Sequence, residues 1–173
     1  MKFTNSEKVY TKRLVLRQIE QADFDALIEI FTNEEVAKTF MVPDFSSAKE
    51  AYGLAQRFSV LSRDGNRFVY GVYLDNRLIG FVNDVFIDEK TVELGYVIHP
   101  NFKNNGYATE VLKASLNEIF KTDFRIVKAG AFEENIASQR VMQKCGMKPL
   151  EIVEDIVYRG KTHRCKYYQI EKE

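Results

Sequence analysis

Between Val92 and Ala131 the apolar pattern changes period twice, and this limits the available folds more than any other feature of the chain. Val92 to Ile98 is a β-prone run. A polar loop with Asn101, Asn104, Asn105 and Gly106 follows it. Ala108, Val111, Leu112, Ser115 and Ile119 then lie on one helical stripe, widened by Leu116 and Phe120. Arg125 to Ala131 returns to a strand pattern. Strand, helix and strand in immediate succession make a β-α-β crossover, so two strands are expected side by side in parallel.

The flanking segments are of another kind. Phe68 to Leu74, Arg77 to Ile87 and Val92 to Ile98 are strands separated by short polar turns at Asp75-Asn76 and Asp88-Glu89-Lys90, an antiparallel meander. Ile152 to Tyr158 and Arg164 to Ile170 flank Arg159-Gly160-Lys161 as a closing hairpin. Arg13 to Arg17 opens the chain as a short strand. Phe24, Leu27, Ile28 and Phe31 mark a first helix with Asp23 as N-cap, and Ser47-Ala48-Lys49-Glu50 has capping-box spacing for a second. Residues 33–46, with Pro43 and Asp44, read as a loop. Asn135 caps a short helix from Ile136 to Cys145 that stops at Gly146. The expected fold is α+β, a mixed and mostly antiparallel sheet, with residues 1–173 as a single domain.

Bulk properties exclude several functions. Lys plus Arg number 25 and Asp plus Glu number 25, so the basic excess that a phosphate-neutralising nucleic-acid binder usually carries is absent. No apolar run reaches the roughly 18 residues of a membrane span. Met1 to Glu7 is polar, unlike a signal peptide, so a cytoplasmic location is expected. The two cysteines, Cys145 and Cys165, are too few for a disulfide framework and, with two histidines, form no spaced metal set. Cys145 is expected in the core, His99 in a structural role and His163 on the surface.

The loop after Ile98 carries the chemistry. A helix that starts directly after an Asn- and Gly-rich loop presents unpaired N–H groups and about half a unit of positive charge. That suits a phosphate or pyrophosphate, with Lys103 adding formal charge. An ordinary strand-to-helix turn would use the same residues for backbone reasons alone. The loop is neither a Walker A sequence nor GxGxxG, so nucleotide hydrolysis and dinucleotide redox chemistry gain no support.

From about residue 12 to 171 the chain resembles the GCN5-related N-acetyltransferase (GNAT) family, and within it the subgroup that includes ribosomal-protein N-terminal acetyltransferases. The family's acetyl-coenzyme A motif is Arg or Gln, two residues, Gly, one residue, then Gly or Ala. Here it reads Lys103-Asn104-Asn105-Gly106-Tyr107-Ala108, with lysine in place of the usual first residue. A second family element, Asn, two residues, a small residue and then a short helix ending before Gly, is matched by Asn135-Ile136-Ala137-Ser138 through Lys144-Cys145-Gly146-Met147.

The resemblance implies a GNAT fold with helices on both sheet faces and a splayed parallel pair formed by strands 92–98 and 125–131. It implies acetyl-CoA as co-substrate and no metal, held by Tyr96, Val97, Ile98, Lys103, Asn104, Asn105, Gly106, Tyr107, Ala108, Thr109, Asn135 and Ser138. Pantetheine would lie in the wedge, and a backbone N–H near Val97 or Ile98 would polarise the thioester carbonyl. Glu93 is the candidate base, acting through water, and Asp84 the second choice. Many members protonate the leaving thiolate with a Tyr at the position of Met142, which cannot donate. Ser138 matches the hydroxyl that the N-terminal acetyltransferases have near the sulfur.

The expected partner is an amine acceptor, either a protein N-terminus or a small molecule, for a monomer or homodimer. An α-amine with pKa about 7.7–8.0 needs less help from a base than a lysine amine, of which roughly 0.1% is neutral near pH 7.5. The competing reading, an acyl-CoA-binding sensor with little turnover, rests on Met142.

Overall fold

In the computed structural model, which describes residues 2–173, the chain begins with the strands β1 (Val9–Tyr10) and β2 (Val15–Arg17), and β1 lies just ahead of the strand expected at the start. Three helices follow: α1 (Phe24–Phe31), α2 (Glu34–Thr39) and α3 (Ala48–Leu61). The meander is β3 (Val69–Leu74), β4 (Arg77–Ile87) and β5 (Thr91–Ile98). The crossover helix α4 (Tyr107–Phe120) leads to β6 (Ile126–Phe132), and α5 (Ile136–Lys144) leads to the hairpin β7 (Lys148–Tyr158) and β8 (Lys161–Glu171).

Local chemistry explains most of these boundaries. Asp75 and Asn76 have φ of 47° and 64°, the paired left-handed values of the two-residue turn that matches strand twist. The Ser47 hydroxyl accepts from the Glu50 N–H at 3.3 Å and starts α3. The Glu50 carboxylate, expected to return to Ser47, instead accepts from the Ser46 N–H and hydroxyl, both at 2.8 Å. Asn135 Oδ1 accepts from the Ser138 N–H at 3.1 Å and starts α5. Helix α2 lies inside the segment expected to be a loop. Asn33 Oδ1 accepts from the N–H groups of Glu35 (2.9 Å) and Val36 (3.2 Å), and Val36 and Ala37 are buried. Six residues are too few to show an apolar period, so the cap was the only local sign of it.

The strands form one mixed sheet in the order β1-β2-β3-β4-β5-β6-β8-β7, in which only β5 and β6 run parallel. One face packs Val92, Leu94 and Ala129 against Val111, Leu112 and Ile119 of α4 and Met142 of α5. The other packs Tyr73, Phe81 and Val97 against α1 and α3, with Phe31, Phe58 and Phe81 meeting edge to face. The parallel ladder runs from Thr91 opposite Ile126 to Leu94 opposite Ala129 and stops there. Beyond that point β5 stays paired to β4 as far as Ile98, and β6 stays paired to β8 as far as Phe132. Each strand keeps its outer neighbour and loses its inner one, so a gap opens in the middle of the sheet.

Candidate active site

The gap leaves backbone groups without partners. His99 N–H donates to the Ile79 carbonyl at 2.7 Å, toward β4. Amides of an antiparallel strand face the same neighbour at every second residue, so those of Val97 and Gly95 also turn to β4, while those of Ile98 and Tyr96 turn into the gap. Of the two amides expected to polarise a carbonyl, the alternation selects Ile98 and sets Val97 aside. Gly80 allows this close pairing, because a Cβ there would collide with the Val97 carbonyl oxygen.

At one end the gap meets the start of α4. Asn104 and Gly106 have φ of 63° and 78°. The left-handed turns wind the loop so that successive N–H groups converge. Gly106 is the N-cap of α4 and has no side chain to satisfy the first-turn amides, which stay free for an anion. Asn105 does not face the gap. Its Nδ2 donates to the carbonyls of Phe102 (3.1 Å) and Lys103 (3.0 Å) and braces the loop from behind.

A groove of about 390 Å³ runs along these groups. Tyr96, Val97 and Ile98 line it from β5, Lys103, Asn104, Gly106, Tyr107, Ala108 and Thr109 from the loop and α4, and Asn135 and Ser138 from α5. Of the residues expected to hold a cofactor, only Asn105 is not on its wall. Arg140 and Lys144 of α5, Gly130 of β6, Val36 and Thr39 of α2 and Phe40 just after it also line the groove, and the sequence did not single them out. Arg140 and Lys144 are four residues apart on one face of α5 and add positive charge to the groove that Lys103 also lines, and their i, i+4 spacing is visible in the sequence. The free amides, the gap and these cations suit a long polyanionic ligand with a narrow neutral arm.

Ser138 and Tyr96 meet inside the groove. Their hydroxyls share a hydrogen bond of 2.9 Å, and the Tyr96 phenol also donates to the Ser138 carbonyl at 3.2 Å. Burial pushes the Tyr96 phenol well above its usual pKa. Met142, by contrast, is fully buried in the α4–α5 core. A phenol therefore stands beside Ser138, supplied by β5 and not by α5.

Glu93 lies one residue before the gap, on the face opposite Val92 and Leu94, and is half-buried. Burial pushes its carboxyl above the usual range; Lys128, opposite it on β6, works against this and Glu154 on β7 reinforces it. Glu154 accepts from the Tyr167 phenol at 2.9 Å, and the Tyr167 ring packs where Gly130 has no Cβ. Asn83 Oδ1, beside Gly95 and Phe40 on the same face, is buried and without a partner among the described residues.

Asp84 is not a free base. Its Oδ1 accepts from the Phe68 N–H at 2.7 Å and its Oδ2 from Arg67 Nε and Nη2, both at 2.8 Å, and it is 4% exposed. It also pairs with Leu94, on the face away from Glu93. His99 is structural: Nδ1 accepts from the Asn101 N–H at 3.1 Å, which leaves Nε2–H to donate to Glu29 at 2.8 Å. His163 is not the surface residue expected. Its ring stacks on Phe132 with centroids 4.3 Å apart, and its Nδ1 lies 2.7 Å from Glu134. Cys145 is buried, and burial pushes its thiol up to about 11, away from nucleophilic use. Among the described residues no cluster of three or more His, Cys, Asp or Glu is placed to hold a metal ion, and no helix is long and apolar enough to cross a membrane.

Residues 13–148 match the family model described as acetyltransferase (GNAT) domain. The chain belongs to the GNAT family. An uncharacterized N-acetyltransferase of Bacillus subtilis, YnaD, is 31% identical over 169 residues, covering 92% of this chain and 94% of the relative. A GNAT-family acetyltransferase from Bacillus anthracis has a similar structure, with a TM-score of 0.80 and 27% identity over 95% of this chain and 98% of that one. RimL, a ribosomal-protein alpha-N-acetyltransferase solved with coenzyme A, superposes with a TM-score of 0.82 at 19% identity, over 95% of this chain and 98% of its own, a likeness of fold. The chain is thus an acetyl-CoA-dependent N-acetyltransferase. In this GNAT protein the lysine at the head of the cofactor motif and the methionine at the usual tyrosine position both sit in an otherwise complete frame.

Proposed function

We propose that this GNAT protein, acting as one domain over residues 1–173, moves an acetyl group from acetyl-CoA directly to a primary amine, with an α-amine of a peptide or small molecule as acceptor. The observation that carries the reading is the gap beyond Leu94 and Ala129, which joins the free amides of α4 to the face that holds Glu93. Acetyl-CoA supplies an acyl thioester already activated toward amines.

The residues divide the work. Loop and α4 amides, with Lys103, Arg140 and Lys144, hold the phosphates. The Ile98 amide donates to the thioester carbonyl oxygen as negative charge develops there. Glu93 accepts the proton that the amine must lose, through water, and its raised pKa brings it nearer the working pH of a base. The Ser138 hydroxyl, oriented by Tyr96, donates to the departing sulfur. An α-amine fits the single partly buried carboxylate better than a lysine amine, whose neutral fraction is far smaller. The alpha-N-acetyltransferase activity named for RimL agrees in kind. The sensor reading rests on Met142, and the Ser138 hydroxyl beside Tyr96 supports turnover by placing in the groove a donor that Met142 cannot supply.

Calorimetric titration with acetyl-CoA, then thiol release over a panel of amines and N-terminal peptides, tests the proposal. Binding followed by release with an α-amine is expected. Binding with no release from any amine would favour the sensor.

A further inference from the structure

Arg13 lies far from the cofactor motif in sequence, between β1 and β2, yet it stands at the start of α4. Its guanidinium sits over the Tyr107 ring, 4.5 Å from the centroid, and Nη2 is 3.4 Å from where a Cβ on Gly106 would lie. Nε donates to Glu110 Oε1 at 3.3 Å. The other Glu110 oxygen accepts from the Thr11 hydroxyl at 3.1 Å, so the carboxylate that holds Arg13 is itself held. Among the described residues neither Nη group of Arg13 has a hydrogen-bond partner. The side chain is 40% exposed, oriented at its base and open at its tip.

These contacts make a functional unit. Glu110 is in the first turn of α4, close to where the cofactor phosphates would sit, and its charge there opposes an anion. Arg13 neutralises that carboxylate through Nε and keeps its Nη fork beside Gly106, where the free amides converge. An arginine fork matches two phosphate oxygens at once, whereas the lysine at the head of the motif acts as a point charge.

Resting on the acetyl-CoA reading above, we propose that Arg13 is a ligand of the cofactor pyrophosphate and completes, from the N-terminal segment, the anion site that the α4 loop begins. Direct titration of coenzyme A and of dephospho-coenzyme A into the wild-type protein, Arg13→Gln, Arg13→Lys and Arg13→Gln/Glu110→Gln tests it. Arg13→Gln should weaken both ligands alike, by roughly 10-fold, and Arg13→Lys should fall between it and the wild type. Should Arg13→Gln fail to fold, Arg13→Lys carries the test, since it keeps the charge and loses the fork.

Three results would overturn the assignment. Unchanged affinity in the variants would remove Arg13 from the site. A penalty that disappears with dephospho-coenzyme A would move the contact to the 3′-phosphate. Full recovery in the double variant would leave Arg13 only the task of neutralising Glu110. Failure of the wild-type protein to bind coenzyme A would instead count against the acetyl-CoA reading itself.

Discussion

Two carboxylates one strand apart show how position decides chemistry at the scale of the residue. Asp84 has both oxygens filled by Phe68 and Arg67, while Glu93 faces Lys128 and Glu154 from a half-buried position. Because burial raises the folded-state pKa of Glu93, the folded protein holds that proton more tightly than the unfolded chain. The group therefore costs stability once pH rises through the raised pKa, and not below the unfolded value. Glu93→Gln should lower kcat, remove the acidic limb of the pH–rate profile and leave Tm at pH 7 unchanged or higher. An unaltered limb would clear Glu93 of the role. Asp84→Asn should do the reverse, leaving the limb in place and costing about 2 kcal/mol, discounted because Arg67 is partly exposed. Thermal melts should register that as a fall of roughly 4–8 °C.

Among the elements, α4 and the β7–β8 hairpin hold opposite ends of the groove. Gly106 turns the chain into α4 at φ 78°, a value that a β-branched residue adopts only with strain. Gly106→Val should weaken coenzyme A binding more than 10-fold, about 1.4 kcal/mol or more, as titration would register. Tyr158, at the end of β7, acts on the other side. Its hydroxyl donates to the carbonyls of Ala37 (2.9 Å) and Phe40 (3.3 Å) and fastens the end of α2. Val36 and Thr39 of that helix, and Phe40 at its C-cap, line the groove away from the α4 loop. Tyr158→Phe should raise the KM for the amine several-fold with coenzyme A affinity unchanged; a matching loss of cofactor affinity would make Tyr158 a general support of the fold. Helix α2 escaped the sequence reading because it is six residues long, and its only local sign was Asn33.

For the whole molecule, the gap is a cost built into the sheet, since strand ends that would otherwise pair stand apart over the length of the groove. A ligand that bridges β5, α4 and α5 should stabilise all of them together. At 100 times its Kd, acetyl-CoA should add about 2.7 kcal/mol, a rise of roughly 5–10 °C in Tm. A flat melting curve across that titration would count against a site built from these elements. Apart from β1 and α2, the order of strands and helices was legible in the sequence, as were the parallel pair, the α4 loop and the Asn135 cap, because period, turn chemistry and capping act over a few residues. Tertiary structure alone decided that Asp84 is locked and Glu93 open, that the Ile98 amide faces the gap, and that Arg13, Tyr158 and Glu154 approach the site. Those outcomes depend on strand register and on which face each side chain occupies, and one residue of slip reverses a face. Residues far apart in the chain become neighbours only when the sheet assembles, and no local pattern records which ones will meet.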